Sequence, residues 1–167
     1  KPTGTNEYKH DKNTIQIPIE FDSNNVCFAC KSNKKKWDGQ INWKDREKEL
    51  IDLCNSYKKF KGQYNCLVGG SGGKDSAFAA YILKQKYGMH PLTITWPPLL
   101  YTEIGWQNFQ QWIDVGGFSN VSFKPNGKVH RLLTRLSTEN LFHPFQTFIL
   151  GQKNAAPRLA VQFNVPL

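Results

Sequence analysis

The apolar positions of this chain change period several times, and each change marks an element. Residues 1–40 carry few apolar side chains and no helical period. Ile15, Ile17 and Ile19 alternate with Gln16 and Pro18, which predicts a short strand that the proline confines to an edge. Phe21-Asp22-Ser23-Asn24-Asn25 reads as a turn. Beyond Asn42, a capping residue with Asp45 three positions on, the period becomes helical. Trp43, Leu50, Ile51, Cys54 and Tyr57 recur on one face and predict a helix over 43–60. Cys66-Leu67-Val68 is a short apolar run, a buried strand that enters Gly69-Gly70-Ser71-Gly72-Gly73. Residues 75–87 predict a helix stopped by Gly88. Pro91 to Trp96 predicts a second strand, 103–115 a helix closed by Gly116-Gly117, and Asn120 to Phe123 a third strand. Residues 128–137 and stretches within 145–163 read as helical, and Val165-Pro166-Leu167 as the opening of a fourth strand.

Strands alternating with helices imply right-handed βαβ units and a parallel sheet, so the expected class is α/β. The expected organisation is a small cysteine-containing appendage over residues 1–41 and an α/β domain over 42–167. Such a sheet is small and its last strand only begins, so the chain is expected to be a fragment of a longer protein. No internal repeat is evident.

Composition narrows the class. In 167 residues, 39% hydrophobic and 13% aromatic, there is material for an ordinary core and no mark of a disordered or collagenous chain. The longest apolar runs, such as Ala77 to Leu83, fall far short of the roughly 20 residues that span a bilayer. No apolar leader opens the chain, so the expected compartment is the cytoplasm. Four cysteines are too few for a disulfide scaffold, and a reducing compartment agrees with that. Twenty-two Lys and Arg against 13 Asp and Glu leave a formal charge of +9, suited to an anionic partner. Much of it lies in two runs, Lys31 to Lys36 and Lys58 to Lys61, which read equally as solvated faces.

Candidate chemistry concentrates in Gly70-Ser71-Gly72-Gly73-Lys74-Asp75-Ser76, after a buried strand and at the start of a helix. Glycines let a backbone turn tightly and approach a ligand, and the loop and helix N–H groups then face an anion together. Lys74 adds a mobile cation; Ser71 and Ser76 add hydroxyls. Two familiar phosphate loops fail on spacing. A Walker A loop would need glycine at position 68 and Ser or Thr at position 75, where Val68 and Asp75 stand. A dinucleotide fingerprint starting at Gly70 would need its third glycine at position 75. Thr95 and Trp96, at the carboxyl end of the second strand, sit where open α/β sheets receive a ligand and would meet adenine or ribose; Trp96 could equally be core.

Ser71-Gly72-Gly73-Lys74-Asp75-Ser76 resembles the S-G-G-x-D-S pyrophosphate loop of the N-type ATP pyrophosphatases. The resemblance implies that the loop grips the pyrophosphate of ATP while a substrate oxygen attacks the α-phosphorus. Asp75 would then coordinate Mg²⁺, or act simply as a first-turn carboxylate favoured by the helix dipole. Within that superfamily, Thr95 to Trp106, Pro125-Asn126-Gly127-Lys128-Val129-His130-Arg131, His143-Pro144-Phe145-Gln146 and Leu150-Gly151-Gln152-Lys153-Asn154 resemble the N-acetyl sugar amidotransferases. So does Val26-Cys27-Phe28-Ala29-Cys30, and the likeness runs from about Phe21 to the end.

This second resemblance implies conversion of the N-acetyl group of a nucleotide-linked sugar to an acetamidino group, with ammonia supplied by a separate glutaminase subunit. It implies a second ATP or substrate contact at Gly151, Gln152 and Lys153. His130 and Arg131 would meet a substrate phosphate, with His143 a further candidate; each histidine reads equally as structural. The family's upstream cysteine pair has no counterpart here, and the family continues through further strands beyond the position of Leu167. Cys27 and Cys30 have the spacing of half a zinc site, and also of a redox pair or of plain cysteines. A tRNA-modifying enzyme of the same superfamily is the alternative, as is a nucleotide-binding module without turnover. The basic residues are not interleaved with aromatics as a nucleic-acid stacking platform would be.

Overall fold

The structure is a computed structural model that describes residues 19–58 and 62–167. The chain divides into two compact units, Lys1–Glu49 and Leu50–Leu167, the division falling inside one helix. The expected strand over Ile15–Ile19 lies almost entirely outside the described residues.

In the first unit, Phe21 pairs with Cys27 in an antiparallel bridge that closes the expected turn. Asp22 organises it: Oδ1 accepts from the N–H groups of Asn24 and Val26, both at 2.9 Å, and Oδ2 meets Lys31 Nζ at 3.0 Å. The Val26 N–H, then Lys31, hold this carboxyl below the usual aspartate range. A helix that the hydrophobic pattern did not predict follows: α1, Phe28–Trp37. It buries no residue, and so has no apolar stripe to betray it. Its support is local: the Cys27 side chain caps the first turn, and Lys34, Lys35 and Lys36 sit at the negative end of the helix dipole.

The next helix, α2 (Trp43–Lys58), begins as expected. Asn42 Oδ1 accepts from Lys44 N and Asp45 N at 3.2 and 3.4 Å, and Asn42 Nδ2 donates to Asp45 at 2.6 Å. The rest of the second unit is β1 (Cys66–Gly69), α3 (Lys74–Gln85), β2 (Pro91–Thr95), α4 (Glu103–Asp114), β3 (Ser119–Ser122), α5 (Gly127–Leu141) and α6 (Gln146–Phe163). The sheet is parallel, in the order β1-β2-β3, with Val68 beside Thr93 and Thr93 beside Asn120. This is the expected α/β architecture.

The two sheet faces differ. On one, Val68 packs with Ala80 of α3, Phe109 and Trp112 of α4, and Phe118. Thr93 and Thr95 point the same way and are wholly buried. Asn120 Nδ2 donates to both hydroxyl oxygens at 2.9 and 3.0 Å, and Thr93 Oγ1 donates to Ser119 O at 2.8 Å, so polar side chains bind β2 to β3 there. On the other face Leu67, Leu92, Ile94 and Val121 meet Ala155, Ala156, Leu159 and Ala160 of α6. A third cluster, Cys54, Cys66 and Met89, closes the amino end of β1.

Two expectations change at the C-terminal end. The helical stretches within 145–163 are one helix of 18 residues that runs through Pro157. A proline there loses one backbone hydrogen bond, and Ala155, Ala156, Leu159 and Ala160 around it pack on the sheet. Residues 165–167 are not a strand. Asn164 ends α6 in the left-handed region at φ 51°, and Leu67 N then donates to Pro166 O at 2.8 Å along the outer edge of β1.

Candidate functional site

The glycine loop sits at the carboxyl end of β1, anchored by Gly70 N donating to Ile94 O at 2.9 Å. At Gly70, a Cβ would stand 2.5 Å from Ser76 Cβ and 2.7 Å from the Trp112 ring. At Gly72, φ is +83° and a Cβ would stand 2.6 Å from Phe109 Cα, so backbone conformation and backbone packing both demand glycine. Gly73 differs: a Cβ there would meet nothing within 4 Å. The loop is therefore pinned from behind at Gly70 and Gly72 and open in front at Gly73. Gly73 is also the N-cap of α3 and supplies no side-chain cap, which leaves the first N–H groups of that helix free to face an anion. Ser76 Oγ donates to Gly73 O at 2.9 Å and steadies the turn. Lys74 and Asp75 are exposed in the first turn, and the structure holds Ser71 half-buried.

Beside the loop lies a cavity of about 270 Å³ lined by Gly69, Gly70, Ile94, Trp96, Gln152 and Lys153, with Ala155 and Ala156 as its floor. It brings together predicted residues that lie more than 80 positions apart in sequence. The approach of α6 to β1 is close, with a Cβ at Gly69 reaching Ala156 Cβ at 3.9 Å. Trp96 forms the side wall, stacked on Phe123 with ring centroids 5.3 Å apart. Gly151 owes its identity to that indole: a Cβ there would stand 2.2 Å from Trp96. Thr95 is turned away, its hydroxyl buried and held by Asn120.

The far side of Trp96 faces a larger cavity of about 790 Å³ between β3, α5 and α6. Its walls include Ile94, Val121, Leu133, Leu136 and Leu150, and His130 lies among them, 4% exposed. Neither imidazole nitrogen of His130 has a hydrogen-bond partner, nor does the buried Trp96 Nε1. Each such group costs about 1–3 kcal/mol when left unsatisfied. Asn126 caps α5 just before it, its Oδ1 accepting from Lys128 N and Val129 N at 3.0 and 3.2 Å. Arg131, the next residue, is exposed on the helix, and His143 is exposed in the turn before α6. The cavity had no signal in the hydrophobic pattern, because its residues come from separate elements.

Cys27 and Cys30 lie at the start of α1, where Cys27 Sγ accepts from Cys30 N at 3.4 Å. That N–H and the Cys30 side chain draw the Cys27 thiol below its ordinary range, while the Cys30 thiol, hydrogen-bonded to Cys27, is pushed up. Among the described residues no group of three or more His, Cys, Asp and Glu gathers at one point. Two sulfurs fill half a tetrahedral zinc shell, so these residues do not by themselves fit Zn²⁺. Mg²⁺ is different: the Asp75 carboxylate and the loop hydroxyls are the hard oxygens it favours.

A parallel sheet with an uncapped helix behind a glycine loop defines the chain as an α/β protein. No protein-family profile matches the chain. An uncharacterized protein of Methanocaldococcus jannaschii is 32% identical over 85 residues, 51% of this chain and 29% of that protein. The fold is similar to that of an ammonia-dependent NAD synthetase of Campylobacter jejuni in complex with nitrate. The TM-score is 0.55 at 15% identity, over 75% of this chain and 55% of that one. An NMN synthetase of Francisella tularensis aligns with TM-score 0.46 at 21% identity, over 75% of this chain and 52% of that one. The chain thus spans about half the length of these solved structures. Among the described residues no helix is long and apolar enough to cross a membrane.

Proposed function

We propose that this chain is the nucleotide-binding part of an ATP-dependent amidating enzyme that adenylates its substrate and releases pyrophosphate. The observation that carries the reading is the loop itself: glycines pinned from behind at Gly70 and Gly72, open space in front of Gly73, and the uncapped N-terminus of α3. Such a surface holds a polyanion by backbone N–H groups. Lys74 would add charge to the β- and γ-phosphates, and Gln152 and Lys153 would close over the nucleotide from α6. Asp75 would hold Mg²⁺, which when bound offsets charge on the departing pyrophosphate. The fold shared with an ammonia-dependent synthetase supports ammonia as the nitrogen donor.

For the acceptor we propose the N-acetyl group of a nucleotide-linked sugar, with a glutaminase subunit delivering the ammonia. The chemistry balances. An amide oxygen is a poor leaving group, so it attacks the α-phosphorus, pyrophosphate departs, and an O-adenylyl imidate forms. Ammonia then adds to the imidate carbon, and AMP leaves with the former amide oxygen. The test is turnover of the parent protein with Mg²⁺, an ammonium salt and N-acetylated nucleotide sugars. AMP and pyrophosphate are expected only when the sugar is present, with ¹⁸O from the acetamido group recovered in AMP. ADP and phosphate would refute adenylation. AMP formation with tRNA and none with sugars would keep adenylation and refute the sugar.

A further inference from the structure

We infer that Cys27 and Cys30 form a thiol–disulfide exchange site, in which the Cys27 sulfur attacks a disulfide of a second molecule and Cys30 resolves the mixed disulfide. Two sulfurs are half of a tetrahedral zinc shell, and among the described residues no group of three or more His, Cys, Asp and Glu completes it. The same two sulfurs are placed to react with each other. Cys27 is the N-cap of α1, and its Sγ accepts from Cys30 N at 3.4 Å. A thiolate accepts such a bond better than a thiol, and the positive end of the helix dipole favours the same charge. No acidic side chain stands in the first turn of α1, and the Asp22 carboxylate of the preceding turn is paired with Lys31 at 3.0 Å. The two thiols move apart accordingly, Cys27 down and Cys30 up, which separates an attacking sulfur from a resolving one.

Geometry also supplies the second step. Residues three apart at a helix start are neighbours, within the roughly 4–7 Å between Cα atoms that a disulfide spans. Cys27 is half-buried and Cys30 exposed, so a small disulfide can reach the pair. The chemistry balances. The Cys27 thiolate attacks one sulfur of R–S–S–R, a Cys27–S–S–R bond forms, and one RS⁻ leaves. Cys30 gives its proton to that RS⁻ and its sulfur attacks the Cys27 sulfur. The second RS⁻ departs and takes up the proton that Cys27 had released to water. Cys27 and Cys30 are oxidised by two electrons, and the incoming disulfide is reduced to two thiols. Cys54 and Cys66 are the contrast. Both are buried in the cluster at the amino end of β1, and burial, then Cys54, push the Cys66 thiol up to about 11.

The experiment treats the whole reduced 167-residue chain with glutathione disulfide and follows the products by mass spectrometry and peptide mapping. The parent should close an internal Cys27–Cys30 disulfide and retain no glutathione. Cys30→Ser should hold one glutathione on Cys27, and Cys27→Ser should react at Cys30 at least about tenfold more slowly near neutral pH. Cys54 and Cys66 should stay reduced in all three. Equal rates for the two variants overturn the inference, because both sulfurs would then be plain surface thiols. So does a parent that keeps glutathione on Cys27 without closing the internal bond. A stoichiometric Zn²⁺ complex of the reduced parent that blocks the reaction also overturns it and assigns the pair to the metal. Serine is itself a good N-cap, so Cys27→Ser should keep α1. Differential alkylation of the parent ranks the two sulfurs without any substitution. Residues 70–76 take no part in any arm, so failure here leaves the ATP reading untouched.

Discussion

Gly70 and Gly72 shape the glycine loop through the side chains they lack, whereas the cavity beyond Trp96 is shaped by side chains of four elements, Ile94, Val121, His130 and Leu150. The first region presents backbone N–H groups at a helix end, the second a cavity where apolar side chains mix with His130, Arg158 and several amides. The two regions differ in how the chain can build them. A polyanion is met by many weak, fixed dipoles, which a short loop can supply from consecutive residues. A cavity walled by side chains of several elements needs residues brought from distant parts of the chain.

Side chains added to the loop should have the largest effect. Gly72→Ala puts a Cβ into the Phe109 backbone at a positive φ and should cost about 3 kcal/mol or more, read as a fall in the denaturation midpoint. Gly73→Ala meets open space and should change stability by less than about 0.5 kcal/mol. It should nonetheless weaken ATP binding at least about tenfold by calorimetry, because its methyl group faces the ligand side. If Gly73→Ala binds ATP as well as the parent, the loop's open face is not where phosphates sit.

Next in size is Asp75→Asn. The side chain is exposed, so thermal stability should hold, while AMP formation by the parent protein should fall about a hundredfold. Retained turnover would leave Asp75 as a first-turn carboxylate only.

Cys66 offers a control that lies outside both regions. Burial, and then the neighbouring Cys54, push its thiol from 9.0 up to about 11. The protonated form is the one the fold favours, so its contribution is complete below pH 9.0 and is lost as pH rises towards about 11. The loss should be roughly 2–3 kcal/mol in denaturant titrations. Cys66→Ala should flatten that part of the pH profile. An unchanged profile would show that the thiol does not titrate with unfolding.

The smallest effect separates packing from binding at the wall the two cavities share. Gly151→Ala drives a methyl group towards Trp96 and should cost about 1–3 kcal/mol. ATP affinity at a temperature where the variant remains folded should be close to that of the parent. A large loss of ATP affinity with unchanged stability would instead make Gly151 a ligand contact.

Much of this molecule is determined by local sequence. Cys66-Leu67-Val68 followed by glycines, Asn42 and Asn126 before helical periods, and Gly88 after one all act over a few residues, so the strands, the caps and the loop can be read directly. What local pattern does not carry is α1, which buries nothing and is held by the Cys27 cap and the basic last turn. It does not show that Asn164 ends α6 in the left-handed region and lays Val165-Pro166-Leu167 along the outer edge of β1. Nor does it tell that Thr95 is locked into the sheet by Asn120 or that Gly151 is small because of Trp96. His130 shows the limit most plainly. In sequence it is one residue in the first turn of an amphipathic helix, and only the packing of α5, α6 and β3 buries it and leaves both nitrogens without a partner. A loop that reads a ligand through its backbone is written in consecutive residues; a chamber exists only once the chain has folded around it.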